Sequence, residues 1–183
     1  MTAFFVSPCI DLNLQPQVMI EIIKATAQDL LLIRQLAEQT FHVTYLPLQP
    51  KEKVDYLFAM MYSSASLADQ MKNGQQFVLA KDEAGYQGYA SYEINSKKEG
   101  VTKIHKIYIL PTAQGKGVGK ALMDFIAKIA IQNKNQTLSL NVYRQNPAID
   151  FYEKIGFKKV EVVDINVGHG FTMNDYVMEK KIS

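Results

Sequence analysis

The stretch from Ile107 to Leu122, Ile-Tyr-Ile-Leu-Pro-Thr-Ala-Gln-Gly-Lys-Gly-Val-Gly-Lys-Ala-Leu, constrains the fold of this chain more than any other. β-Branched and aromatic residues before Pro111 read as a strand, while Val118, Leu122, Phe125, Ile126 and Ile129 recur at helical spacing after it. Between the two, Gly115, Gly117 and Gly119 stand at alternate positions. Glycines at the opening of a helix let the backbone approach a ligand and turn its N–H groups one way, at the end that carries about half a positive charge. That geometry suits a pyrophosphate. Two familiar phosphate loops fail on spacing. Gly115 to Gly119 encloses three residues where a P-loop needs four, and Ala121 follows Lys120 where a P-loop needs Ser or Thr. The dinucleotide pattern G-x-G-x-x-G puts Lys120 where its third glycine belongs. The plain alternative is a flexible strand-to-helix turn. A Gln-Gly-Lys-Gly-x-Gly-Lys run between such a strand and such a helix speaks against it, because several levels of pattern agree.

The rest of the chain reads as alternating strands and helices. A strand is predicted over Ile20 to Thr26, then an amphipathic helix from about Ala27 with Leu30, Ile33, Leu36, Ala37, Thr40 and Phe41 on its apolar face. A loop over residues 42–50 holds Pro47 and Pro50. Helices follow over Lys51 to Tyr62 and Ser64 to Met71, the second capped by Ser63 or Ser64 and stopped at Gly74. Strands over Gln75 to Lys81, Tyr86 to Asn95 and Thr102 to Leu110 are separated by Asp-Glu-Ala-Gly and Lys-Lys-Glu-Gly turns, so they should be antiparallel neighbours. A helix from Val118 to about Asn133, a strand from Gln136 to Tyr143, a helix from Asn146 to Ile155 and strands over Phe157 to Asp164 and Phe171 to Lys181 complete the chain. This order predicts an α+β domain with one mixed, mostly antiparallel sheet of about seven strands and helices on both faces.

With 183 residues, 48% of them hydrophobic, the chain can bury a core without covalent staples. Cys9, its one cysteine, can form neither an internal disulfide nor a structural zinc site, which points to a reducing compartment and a cytoplasmic location. His42, His105 and His169 are too scattered for a metal site, so no metal is expected. Lys and Arg total 20 against 18 Asp and Glu, with no basic run longer than a pair, which gives little purchase on nucleic acid. No segment approaches the roughly 20 apolar residues needed to cross a bilayer, so no membrane partner is expected. Residues 1–18 fail as a signal peptide, because the apolar run Ala3 to Val6 is broken by Ser7 and Pro8 and no Lys or Arg precedes it. They read as a dispensable tail, with Met19 as an alternative start and a single domain over 19–183.

In the last helix Asn146 suits the N-cap, Pro147 the first helical position and Gly156 the C-terminal cap, with Ala148, Phe151, Tyr152 and Ile155 on one face. On periodicity alone Tyr152 is a core aromatic. Here and at the glycine loop the chain resembles the GNAT superfamily of acyl-CoA N-acyltransferases. The loop signature is carried by Gln114, Gly115, Lys116, Gly117, Val118 and Gly119, followed by Lys120. The second signature is carried by Asn146, Ala148, Phe151, Tyr152, Gly156 and Phe157, after Asn141 at the end of a strand. The order of elements from Ile20 to Ile182 is similar too. The resemblance implies the GNAT fold and acetyl-CoA as cosubstrate, its pyrophosphate held by backbone N–H groups of residues 114–120. It also implies that the backbone of Ile107, Tyr108 and Ile109 pairs with the pantetheine arm like an added strand, with Asn141, Asn146, Ala148 and Tyr152 as further contacts. By the same resemblance the Tyr152 hydroxyl lies near the CoA sulfur and reprotonates the departing thiolate.

An alkyl amine has a pKa near that of lysine, about 10.4, so something must take its proton before it can attack a thioester. Some GNAT enzymes use a glutamate on the strand before the loop, but here that strand reads Lys103-Ile-His-Lys-Ile-Tyr-Ile109 and holds no carboxylate. His105, on the same face as Lys103 and Ile107 by simple alternation, and Glu93 on the neighbouring strand are the candidates, and a water chain needs neither. The runs Thr40 to Tyr45 and Gly168 to Glu179 resemble the bacterial spermidine/spermine acetyltransferase branch. Glu52, Asp55, Glu93 and Asp175 are candidates for holding a polyamine's charges, and Phe41, Tyr45, Tyr92 and Phe171 for lining its groove. The expected reaction is direct transfer of acetyl to a small primary amine. A relay through Cys9 is not expected, since it lies outside every CoA motif. A protein or peptide amine is the alternative acceptor, and a CoA-binding regulatory protein without turnover the alternative class. Dimers are common in the family resembled, so a homodimer is an expected assembly.

Overall fold

The computed structural model describes residues 19–96 and 98–182; the predicted tail, with Cys9, lies outside them. Thr26 starts the first helical region with a capping box, its backbone N–H and hydroxyl both donating to Asp29 Oδ2 at 2.7 and 2.9 Å. After one 3-10 turn, α1 (Leu30–Tyr45) turns Ile33, Leu36, Ala37, Thr40 and Phe41 inward. It runs through residues 42–45, where the sequence suggests a loop. Val43 and Thr44 are weak helix formers, but Tyr45 packs against Phe41 in the α1-side core, and the chain leaves the helix only at Leu46. Next come α2 (Lys51–Tyr62) and α3 (Ser64–Lys72). Of the two candidate serines Ser63 is the cap, its Oγ accepting from the Ser66 N–H at 3.2 Å.

Among the described residues, β1 (Glu21–Lys24), β2 (Gln76–Asp82), β3 (Gly85–Glu93), β4 (Val101–Ile109), β5 (Thr137–Tyr143), β6 (Lys158–Gly168) and β7 (Phe171–Lys181) form one sheet in the order β1-β2-β3-β4-β5-β7-β6. Every neighbouring pair is antiparallel except β4 with β5. The crossover between those two carries α4 (Val118–Gln132), and α5 (Ala148–Lys154) joins β5 to β6. The sheet and its helix-covered faces agree with the predicted α+β class.

Alternation along the central strands feeds two separate cores. Phe77, Leu79 and Tyr89 pack against α1 to α3, where they meet Ile33, Leu36, Phe41, Val54 and Leu57. Val78, Ala80, Ala90 and Tyr92 face the other way, onto Leu122, Met123, Ile126 and Ala130 of α4. Burial on both faces explains why β2 reads as a nearly unbroken apolar run.

Strand β4 departs from regularity in two ways. A bulge lets Ser91 pair with Lys106 and Tyr92 with Ile104, so His105 is the extra residue. The alternation expected through Lys103, His105 and Ile107 is therefore reset: Ile107 and Ile109 pack on the α4 side, Tyr108 on the α1 side. The second irregularity is a parting of strands. β4 stays paired with β3 as far as Ile109 opposite Gly88, but with β5 it pairs only from Val101 to Ile104.

Candidate active site

Residues 105–109 of β4 thus have a strand on one edge and none on the other, and across the parting stand Asn141, Val142 and Tyr143 of β5, paired only to β7. A free edge of backbone N–H and C=O groups between parted strands can accept an extended chain as if it were one more strand. The loop at the head of this edge has the conformation its glycines allow. Gly115 and Gly117 adopt φ values of 76° and 87°, the second at the N-cap of α4, with open space around both. Gly119 differs from them. A Cβ there would lie 2.9 Å from Ile109 Cδ1 and 3.2 Å from Phe151 Cζ, so this glycine lets α4 pack closely on β4 and α5 rather than on a ligand. Of the loop's two lysines, Lys120 pairs with Asp124 one helical turn on.

Tyr152 is buried on α5; the N-cap position falls on Pro147, one residue later than the sequence suggests, and Asn146 Oδ1 accepts the Ala148 N–H at 2.9 Å just ahead of it. Ala148 lies partly buried against the α4-side core. From the opposite face Tyr45, at the end of α1, brings its hydroxyl to 3.3 Å from that of Tyr108 on β4. Its surroundings also include the Asn146 side chain, so Tyr45 reaches across the parting from β4 to the start of α5. Burial, and then the neighbouring Tyr45, push the Tyr152 hydroxyl well above the ordinary phenol range. Burial does the same to Tyr108. These are neutral hydrogen-bond donors at any working pH, and weak acids.

Behind Tyr45 lies Asp175 of β7, 2% exposed, opposite Tyr143 in the β5–β7 ladder. Its Oδ1 has no hydrogen-bond partner among the described residues. Burial raises its pKa, opposed by the Asn141 side chain and the cations of Lys103, Lys53 and Arg144. Sequence reading offers Asp175 only as a charge that could hold a polyamine. Its position between Met173 and Val177 on one face of β7 is the available signal of something more.

His105 and Glu93 do come together, with His105 Nε2 3.0 Å from Glu93 Oε2. Desolvation lowers the imidazole pKa despite the carboxylate beside it, so the ring is neutral at neutral pH. The pair sits at the bulge, three residues along β4 from Tyr108, or about 10 Å at the usual rise per strand residue. Next to it Lys106 is buried: its Nζ donates to Gln70 Oε1 at 2.6 Å and lies over the rings of Tyr62 and Phe77. Burial lowers its pKa from 10.5 to about 8. An unfolded chain therefore binds more protons between those values, and stability rises with pH through that window, by about 3 kcal/mol in all. A rise in melting temperature between pH 8 and 10 should be seen in the wild type and be missing in Lys106→Met.

The other acceptor candidates separate. Asp55 is taken up by Lys51 and by His42, whose Nε2 lies 3.3 Å away. Among the aromatics only Tyr45 reaches the parting; Phe41 and Tyr92 are fully packed in opposite cores, and Phe171 packs on Tyr56. Among the described residues no cluster of three His, Cys, Asp or Glu could hold a metal ion, and no helix is long and apolar enough to cross a membrane.

Comparison with known proteins matches residues 46–180 to the acetyltransferase (GNAT) domain model. The chain is 27% identical over 168 residues to the spermidine N(1)-acetyltransferase of Thermoplasma acidophilum, covering 88% of this chain and 97% of that protein. It is 45% identical over 62 residues to the Haemophilus influenzae N-acetyltransferase for alanine of ribosomal protein bS18, covering 32% of this chain and 40% of that one. Among solved structures, the PaiA N-acetyltransferase of Thermoplasma acidophilum in complex with coenzyme A superposes with a TM-score of 0.72 at 26% identity, over 89% of this chain and 99% of that one.

Proposed function

The chain belongs to the GNAT acetyltransferase family, and from that premise we propose that it binds acetyl-CoA along the free edge of β4 and passes the acetyl group directly to a primary amine. One observation carries this reading: the pairing of β4 with β5 ends at Ile104 while residues 105–109 run on, unpartnered on that edge, to a glycine loop open at the N-terminus of α4. Backbone groups of Ile107, Tyr108 and Ile109 would hold the pantetheine arm, and N–H groups of residues 114–120 the pyrophosphate. The parting and the left-handed glycines fit such a ligand. A cavity of about 430 Å3 between α4 and the α5–β6 turn has Lys120, paired with Asp124, and the further cations Lys154 and Lys180 in its wall, a net positive lining for the anionic nucleotide end.

The bound cosubstrate supplies an activated acetyl group. The chain contributes Tyr152, whose neutral hydroxyl donates a hydrogen bond to the charge growing on sulfur as the C–S bond breaks. Its raised pKa makes that bond, more than full proton transfer, its main contribution.

The acceptor we propose is a polyamine, on the similarity to the spermidine acetyltransferase. A second reading, a protein or peptide amine, has its own observation. Asp55 is already paired with Lys51, Glu93 is held against the His105 ring, and Lys103, Lys53 and Arg144 surround Asp175, which leaves less negative charge for a polycation than the sequence suggests. Thiol release from acetyl-CoA measured with spermidine, spermine, amino acids, aminoglycosides and peptides with a free N-terminus decides between them. Intersecting double-reciprocal plots with spermidine as the best acceptor are the expected result. Peptide preference favours the second reading, and acetyl-CoA binding without thiol release from any amine overturns both.

A further inference from the structure

We propose that Asp175 is the group that takes the proton from the acceptor amine, in place of His105 or Glu93. The inference rests on the proposed acetyl transfer and adds a catalytic residue to it. A carboxylate that is 2% exposed and keeps an oxygen without a hydrogen-bond partner is costly to fold, so a native chain that retains one invites a functional account. Asp175 also stands in the right place. It lies two pairs along the β5–β7 ladder from Asn141, the first β5 residue past the parting, and its field reaches Tyr45, which in turn adjoins Tyr152. It is on the α1 side of the sheet. The loop at α4 and Tyr152 on α5 belong to the other side, so acceptor and donor would meet in the parting from opposite faces.

Every element around Asp175 bears on its charge. Lys103 from β4, Lys53 from α2 and Arg144 after β5 favour the carboxylate, as does Asn141 from β5. Tyr45 from α1 is neutral, and desolvation works against ionisation. Lys53 Nζ is already committed to the Thr172 carbonyl at 2.6 Å and Arg144 to Asp164, which leaves the free Oδ1 for an incoming donor.

The step balances without another reagent. The bound ammonium gives one proton to Asp175 Oδ1, and its freed lone pair forms the C–N bond to the thioester carbonyl carbon. The C–S bond then breaks with its electron pair going to sulfur. The second surplus proton on nitrogen passes to that thiolate, whose charge the Tyr152 hydroxyl meanwhile holds. Asp175 returns its proton to solvent, so one proton is released per turnover.

The test compares ethylamine with trifluoroethylamine at saturating acetyl-CoA. The first is protonated at neutral pH and needs a base; the second is already neutral there and does not. Asp175→Asn should lower kcat/KM for ethylamine about 100-fold or more and for trifluoroethylamine less than about tenfold. Equal losses for both amines, or no loss for either, overturn the assignment. Acetyl-CoA binding, measured on the same samples, reports an intact fold. Should Asp175→Asn fail to bind, the wild type decides: kcat/KM for ethylamine is expected to stay flat over the neutral pH range, and a rise of about tenfold per pH unit, the signature of attack by free amine alone, overturns the proposal. If the wild type binds acetyl-CoA yet acetylates no amine, it is the transfer reading that fails.

Discussion

Tyr152→Phe is expected to lower kcat by about 100-fold or more while leaving acetyl-CoA affinity within a few-fold of wild type. The substitution deletes one oxygen and keeps the ring, so the packing of Tyr152 between Phe151, 5.5 Å away centroid to centroid, and Phe157, at 5.9 Å, is preserved. What is lost is a donor placed beside Tyr45 and carried on a short helix. A donor that matters only as charge develops contributes little to ground-state binding, so the loss should fall on kcat. Steady-state kinetics with a parallel binding titration checks this. Equal losses in turnover and affinity would mean that the hydroxyl serves the fold.

The other large effect is remote from any side-chain chemistry. Gly88→Ala should cost about 1–3 kcal/mol or more in stability and also weaken acetyl-CoA binding. A Cβ at this position would sit 2.5 Å from the Tyr108 carbonyl oxygen and 3.1 Å from Ile109 Cα, both backbone atoms that have no rotamer to yield. Relief requires β3 and β4 to separate where β4 has no strand on its other edge, so the strain falls on the segment proposed to pair with the pantetheine arm. Chemical denaturation and an acetyl-CoA titration measure the two consequences. Destabilisation with unchanged affinity would show that the edge stays in place when β3 moves.

The fold is legible in the sequence because its signals are local. The glycine loop, the Asn146 to Phe157 helix with its cap and stop, and the Asp-Glu-Ala-Gly turn each set their own element, and the element order then admits few sheets. Two features are not legible for the same reason. The bulge at His105 depends on how β3 and β4 come into register, which no pattern within Lys103 to Ile109 announces; simple alternation puts His105 and Ile107 on one face, whereas the bulge sets Ile107 against the α4-side core. The burial of Asp175 depends on α1, α2 and β5 closing over it. In sequence it is one acidic residue among 18, and only the folded chain singles it out. The end of α1 escapes sequence reading because packing of Tyr45 against Phe41 and Tyr108 overrides the weak propensities of Val43 and Thr44.

The two cores have a consequence for how such a chain can change over generations. In the proposed reaction the sheet would act as a partition, with the apolar groups behind α4 on the side of the acyl donor and those behind α1 to α3 on the side of the acceptor. Substitutions that repack Ile33, Phe41 or Leu57 alter the core on one side and leave the glycine loop untouched. Tyr45 and Tyr152 are where the two sides touch, and so where drift on one side is felt by the other. A scaffold divided in this way can exchange one amine for another while its handling of the acyl donor is inherited intact.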